Sequence, residues 1–221
     1  MPYAEAIGSI LWPAMVSRPD VAYAVGILAQ FIQNPAIVHW NALKRVIVYL
    51  RTTKELWLTM GGTESELVTG YCDADWGSQS HRHSISGYAF YMGEGTVSWS
   101  SKKQHIIALS TTEAEYIALT HAAKEALWLR TFLMELRNKP MGPIMIRSDN
   151  QGAIALSKDN KFHARTKHID LQYHFIRECV ADSKIRTDYV PTKENASDIF
   201  MKLLPKVKFT QFAGELGLRM V

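Results

Sequence analysis

The sequence predicts an α/β protein: a mixed five-stranded sheet flanked by helices, preceded by a small helical region. Three observations predict it. Up to Gly62, apolar residues recur at helical spacing. The stretch Gly61-Gly62-Thr63-Glu64-Ser65 then breaks the pattern. Beyond it, strand-like segments come first in a run and afterwards alternate with helices, the order of a sheet with helices packed on it. This divides the chain into residues 1–62 and 66–221.

Each element has a local reason. Ser17-Arg18-Pro19-Asp20 reads as a helix start, because proline is tolerated in the first turn and an aspartate there suits the helix dipole. Val21, Ala24, Val25, Leu28, Phe31 and Ile32 follow at helical spacing, and Asn34-Pro35 ends the run. A second helix carries Trp40, Leu43, Val46, Ile47 and Leu50 on one face and Lys44, Arg45 and Arg51 on its polar side. Together they read as a two-helix hairpin with a solvated basic face, expected to pack only loosely on the remainder of the chain.

Leu67 to Asp73 is strand-like. Ser86 to Met92 and Thr96 to Ser100 alternate as strands around the turn Gly93-Glu94-Gly95. A long helix is predicted from Thr111 to Arg137, then a buried-type strand from Pro143 to Asp149 and a short helix from Gln151 to Ser157. A helix from Lys167 to Ala181, a strand from Lys184 to Val190 and a final helix opening over Asn195 to Leu203 complete the order.

The 221 residues are 47% hydrophobic and 21% charged, enough apolar surface for a packed core and against a disordered chain. A net charge of +4 is compatible with a nucleic-acid partner without demanding one. Two cysteines, Cys72 and Cys179, make neither a disulfide framework nor a zinc site, and a reducing, intracellular setting (cytoplasm or nucleus) is expected. No apolar run is long enough for a membrane span. The first apolar stretch lacks a basic start and contains Pro13, so a cleavable signal peptide is not expected.

Four acidic residues sit at element ends or beside apolar patterns: Asp73, Glu115, Asp149 and Asp198. Read singly, each is an ordinary cap or surface charge. Brought together by a fold, they repel one another unless a cation compensates. Hard oxygen ligands suit Mg²⁺ or Mn²⁺. Two such ions about 4 Å apart can clamp the attacking water and the leaving oxygen of a phosphodiester. Glu113 competes with Glu115 for the same helix. Ser110-Thr111-Thr112-Glu113 fits a capping box in which Glu113 returns to the backbone N–H of Ser110. Glu115 points about 200° away around the helix axis. The cap is therefore assigned to Glu113 and the metal to Glu115.

Several strings resemble the ribonuclease H region of copia-type retrotransposon Pol polyproteins: Tyr71-Cys72-Asp73-Ala74-Asp75-Trp76, Ser86-Gly87-Tyr88, Ser98-Trp99-Ser100-Ser101-Lys102-Lys103-Gln104, Ala108 to Tyr116, Ser148-Asp149-Asn150-Gln151, Arg165-Thr166-Lys167-His168-Ile169-Asp170 and Tyr189-Val190-Pro191-Thr192. Ser17 to Val25 and His39 to Val46 resemble the reverse-transcriptase tail just upstream in the same polyproteins. The resemblance implies a carboxy-terminal fragment: a helical remnant over 1–62, then a ribonuclease H-like domain. It implies a two-metal nuclease acting on the RNA strand of an RNA–DNA hybrid, with Asp73, Glu115, Asp149 and Asp198 matching the ligands. Two departures stand out. The loop Thr192-Lys193-Glu194-Asn195 has no His, and Met201-Lys202-Leu203 replaces the usual Thr-Lys-Pro pattern.

A zinc reading of His81, His83, His163, His168 and His174 is disfavoured: the last two are too far around a helix from each other. Trp76, Trp99 and Trp128 are expected in the core or lining the cleft. The sequence is also similar to copia-derived reading frames labelled as secreted RxLR effectors of oomycetes. That alternative implies a non-catalytic, secreted protein delivered into the host cell, acting on host plant proteins to suppress defence or cell death. Its entry motif is absent: the nearest strings are Tyr49-Leu50-Arg51, Glu135-Leu136-Arg137 and Gly217-Leu218-Arg219.

Overall fold

A computed structural model describes residues 2–62, 67–79, 82–158 and 170–220, the side chain of Asp170 excepted. Thr63, Glu64 and Ser65 of the proposed boundary, His81, His163, His168, and the string Arg165 to Ile169 lie outside the described residues.

The central sheet has five strands: β2 (Thr69–Asp75), β3 (Ile85–Met92), β4 (Gly95–Lys103), β5 (Ile144–Ser148) and β6 (Ile185–Tyr189). Their spatial order is β4-β3-β2-β5-β6. β2, β3 and β4 pair antiparallel; β2–β5 and β5–β6 pair parallel. The antiparallel strands need only short connections, whereas each parallel pairing requires a helical crossover. Those crossovers are α4 (Thr111–Arg137), between β4 and β5, and the pair α5 (Gln151–Lys158) and α6 (Asp170–Ala181), between β5 and β6.

α4 has the predicted bounds because both ends are chemically marked. The Ser110 hydroxyl accepts from the Glu113 N–H at 3.2 Å, and Asn138 closes the helix in the left-handed region at φ 48°. One face of α4 buries Tyr116, Leu119, Ala123 and Ala126 against Cys72, Phe90, Ile144 and Ile146 of the sheet. The other sheet face, with Ala89, is covered by a 3-10 turn over Ala196–Phe200 and by α7 (Lys206–Glu215).

The N-terminal region differs from expectation in two ways. It holds three helices, α1 (Tyr3–Val16), α2 (Ala22–Ala29) and α3 (Ile37–Thr52). α1 accommodates Pro13 one turn from its end, and the Pro13 carbonyl accepts from Ser17 and Arg18. The three helices share a core of Tyr3, Ile7, Val25, Leu28 and Leu43, with the buried pair Arg18–Asp20 (2.7 Å) beneath Tyr49. Nor is the packing loose. Strand β1 (Leu56–Leu58) pairs antiparallel with β7 (Leu218–Met220), the Trp99 indole donates to the Ala14 carbonyl at 2.8 Å, and Tyr49 meets Phe209 edge-on. Gly61 bridges Gly93 in the β3–β4 turn, where a side chain at residue 93 would collide with the Gly61 carbonyl and where φ is 66°.

The final helix also begins later than expected. The residues after Asn195 form the 3-10 turn, and α7 starts only beyond Pro205, which disfavours helix for the residue before it. Among the described residues, no helix is long and apolar enough to cross a membrane. Cys72 and Cys179 are both buried free thiols.

Candidate metal centre

Asp73 lies two residues before the end of β2, Asp149 immediately follows β5, and Glu115 is in the second turn of α4. The parallel pairing of β2 with β5 puts both strands' carboxyl ends on one edge, and α4 packs against both strands. Asp73, Glu115 and Asp149 each present a carboxylate oxygen, and the three oxygens lie within 4.8 Å of one another.

Asp198 reaches the same place from the 3-10 turn. Asn195 positions that turn: its Nδ2 donates to the Cys72 carbonyl at 3.2 Å, and its Oδ1 accepts from the Ser197 N–H and hydroxyl. Gly87 makes room, because it pairs with Asp73 across β2–β3 and a Cβ there would lie 2.9 Å from Phe200 Cβ and 3.1 Å from the Ser197 carbonyl. Asp198 forms ion pairs with Lys202 (2.6 Å) and Lys208 (2.9 Å). It is thus beside the trio, with both oxygens engaged by ammonium groups.

The electrostatics follow from burial. Burial, then the charge of Glu115, pushes the Asp73 carboxyl up to about 12. Burial pushes Glu115 up to about 7, against the hydrogen bond from Asp73 and with the charge of Asp149 adding to the rise. Burial would raise Asp198 too, but the hydrogen bond from Asp73 and the two lysines hold it below the ordinary range. Glu115 Oε2 is buried with no hydrogen-bond partner. Such an oxygen is costly unless a cation meets it.

Glu113 stays away from this cluster. Its Oε2 accepts from the Leu109 N–H at 2.8 Å, one residue earlier than the Ser110 N–H that the capping box predicts. Thr192 Oγ1 donates to Asp149 Oδ2 at 2.6 Å, so the loop without a His is fastened to the centre by a hydroxyl. Sequence reasoning missed Thr192, Asn195 and Lys208 as supporting residues. Asn195 carried a legible signal, an amide just before a short turn; Lys208 carried none. Trp99 is partly buried as expected, but Trp76 and Trp128 are 50% and 58% exposed. The Trp76 indole N–H donates to the Ala108 carbonyl, and Trp128 stacks on Phe132 on α4. His83 is tied to the Gln104 carbonyl at 2.8 Å.

The sheet order β4-β3-β2-β5-β6, with carboxylates gathered at the ends of β2 and β5 and on the long helix, is the ribonuclease H-like architecture that the sequence led one to expect. No protein-family model matches the chain. It is 44% identical over 210 residues to the retrovirus-related Pol polyprotein from transposon TNT 1-94 of Nicotiana tabacum, a match covering 95% of this chain and 16% of that polyprotein. It is 48% identical over 130 residues to secreted RxLR effector protein 161 of Plasmopara viticola, covering 58% of this chain and 92% of that protein. LC11-RNase H1, solved in complex with an RNA/DNA hybrid, superposes with a TM-score of 0.47 at 16% identity, covering 61% of this chain and 93% of that one. The chain is thus similar to retrovirus-related Pol polyproteins of transposons and spans about one sixth of their length.

Proposed function

We propose that the chain is a ribonuclease H-type endonuclease of retrotransposon origin, cleaving the RNA strand of RNA–DNA hybrids with two Mg²⁺ or Mn²⁺ ions. The observation that carries this reading is the trio Asp73, Glu115 and Asp149, whose oxygens lie within 4.8 Å of one another while Glu115 Oε2 is buried without a partner. These donors are hard, anionic and spaced for a small divalent cation. Asp73, Glu115 and Asp149 would hold the ions, with Asp198 at their edge. When bound, such ions supply the charge that activates water and stabilises the leaving oxygen. The chain's own part is to fix the carboxylates on rigid elements: β2 and β5 by sheet pairing, Glu115 by the capped α4, Asp149 also through Thr192. Residues 1–62 are read as the remnant of a reverse-transcriptase tail, and the intact enzyme as acting inside the cell.

The test is cleavage of an RNA-labelled RNA–DNA hybrid by purified protein with Mg²⁺, Mn²⁺ or EDTA. Cleavage is expected only with metal. Asp149→Asn should lower it by a factor on the order of 10² or more, since metal clamping supplies much of the rate in this chemistry. Hybrid binding should persist, because it rests on cationic groups meeting phosphates.

A second reading has one specific observation behind it: the match covering 92% of a protein named as a secreted RxLR effector. On that reading the chain is a repurposed, secreted fragment acting on host plant proteins without catalysis. The same variant separates the two. No cleavage by the wild type, with an effect on plant cells that Asp149→Asn leaves intact, would end the enzyme reading.

A further inference from the structure

Gln104 directly follows β4 and is 1% exposed. Its main chain is held on both sides: the N–H donates to the Ser84 carbonyl at 2.8 Å, and the carbonyl accepts from His83 Nδ1 at 2.8 Å. Its side-chain amide spans two elements. Nε2 donates to Ser86 Oγ on β3 and to the Ala114 carbonyl on α4, each at 2.9 Å. A carbonyl can only accept, so the amide has to face it nitrogen first. That orientation leaves Gln104 Oε1 buried and, among the described residues, without a hydrogen-bond partner. A side chain that only filled this space would be apolar, because a buried acceptor without a donor is costly. What the amide adds over such a side chain is the hold of its two N–H groups.

Both partners sit beside the carboxylates. The Ala114 carbonyl belongs to the peptide group that joins Ala114 to Glu115. The Glu115 Cα lies in the plane of that peptide, so a hold on its carbonyl is a hold on the root of the Glu115 side chain. Ser86 pairs with Ala74 in the β2–β3 ladder, one residue along from the Asp73–Gly87 pair. One amide therefore ties the strand pair that carries Asp73 to the peptide that carries Glu115. The apolar packing at this junction is made of small side chains, Ala74, Ala108 and Ala114, beside Ile117. Methyl groups make few contacts that resist sliding, which leaves directional hydrogen bonds to set the distance between strand and helix. We propose that Gln104 is a positioning residue of this centre: its amide fixes the separation of the Asp73 and Glu115 carboxylates, and with it the affinity for a divalent ion. The proposal rests on the metal-centre reading above.

The experiment is Mn²⁺ binding to the full chain without nucleic acid, read by EPR of free Mn²⁺, beside cleavage of the hybrid, all below the onset of melting of the least stable variant. Gln104→Met keeps the length and removes both donors. It should weaken Mn²⁺ binding about tenfold or more and lower kcat by a similar factor, with the KM for hybrid within about twofold of the wild type. Ser86→Ala removes one end of the tie and should weaken Mn²⁺ binding by a smaller factor, about threefold. The two substitutions break one connection, so the double variant should bind Mn²⁺ no more weakly than Gln104→Met alone. Ser86→Ala carries the test by itself if Gln104→Met does not fold, and the Mn²⁺ readout decides alone if the wild type binds Mn²⁺ without cleaving. Wild-type Mn²⁺ affinity in either single variant, or losses that add in the double variant, would overturn the proposal while leaving the metal centre standing. Absence of any Mn²⁺ site in the wild type would remove the metal-centre reading itself, and this inference with it.

Discussion

At Glu115 the Oε2 atom is buried without a partner, and burial pushes the carboxyl up to about 7. In the metal-free protein this group is a liability. Glu115→Gln keeps the shape and removes the charge, so the metal-free variant should melt higher than the wild type, by about 1 kcal/mol or roughly 2–4 °C. On the proposed metal-centre reading Mn²⁺ should raise the melting temperature of the wild type and not that of this variant; differential scanning calorimetry with and without Mn²⁺ reads both. His121 supplies a separate pH dependence. Burial, then the charges of Lys102, Lys124 and His105, lowers it from 6.5 to about 4. Its folded value lies below its unfolded value, so its contribution is fully present above pH 6.5 and is lost as pH falls towards 4. His121→Gln should flatten the fall in stability across that window by on the order of 1–3 kcal/mol, measured by urea unfolding at stepped pH.

Among the elements, the 3-10 turn over Ala196–Phe200 depends on a glycine in another strand. Gly87→Ala would set a Cβ against Phe200, Met201 and the Ser197 carbonyl. The turn must then move, at a cost of about 1–3 kcal/mol, and it carries Asp198 with it. Both the melting temperature and the rate of hybrid cleavage should drop; an unchanged rate would mean that Asp198 has no part in the chemistry. The strands and α4 were legible because their signals are local: alternation, a glycine turn, a serine cap. The trio of carboxylates was legible for a related reason, since Asp73 and Asp149 stand at strand ends and Glu115 sits one face away from a capping glutamate. What escaped the sequence lacks a local signal. α1 was hidden by Pro13, which a helix tolerates near its last turn when the freed carbonyls find other donors. The turn around Asp198 looked like a helix start, because Asn195 caps a 3-10 turn as readily as an α-helix. β1 and β7 are three residues each, too short to show a period.

Across the whole molecule, contacts join the residues before the expected boundary near Gly61-Gly62 to those after it. Pairing of β1 with β7, the Trp99–Ala14 bond and the Tyr49–Phe209 contact all cross it. Trp99→Phe removes the indole donor and leaves the Ala14 carbonyl to find water, which should cost about 1 kcal/mol of stability in urea unfolding. Removal of residues 1–62 should lower the melting temperature of the remainder by far more, because Leu218 and its neighbours lose their cover. A remainder as stable as the full chain would show that the helical region is an independent passenger.

The β1–β7 pair also fixes an order of events in time. Leu56–Leu58 must wait for Leu218–Met220, so nearly the whole sheet and its crossovers stand between the two partners when the ladder closes. Contacts so distant in sequence carry a large loop-closure cost before they return any energy, which places this ladder late in folding. A late contact is absent from the folding transition state. Weakening it with Leu58→Ala should therefore speed unfolding and leave the refolding rate almost unchanged in stopped-flow measurements. During synthesis the three N-terminal helices and β1 are made long before β7. Until it arrives, the edge of β1 is an unpaired strand, the kind of surface on which a nascent chain first misassembles or is first held by a chaperone.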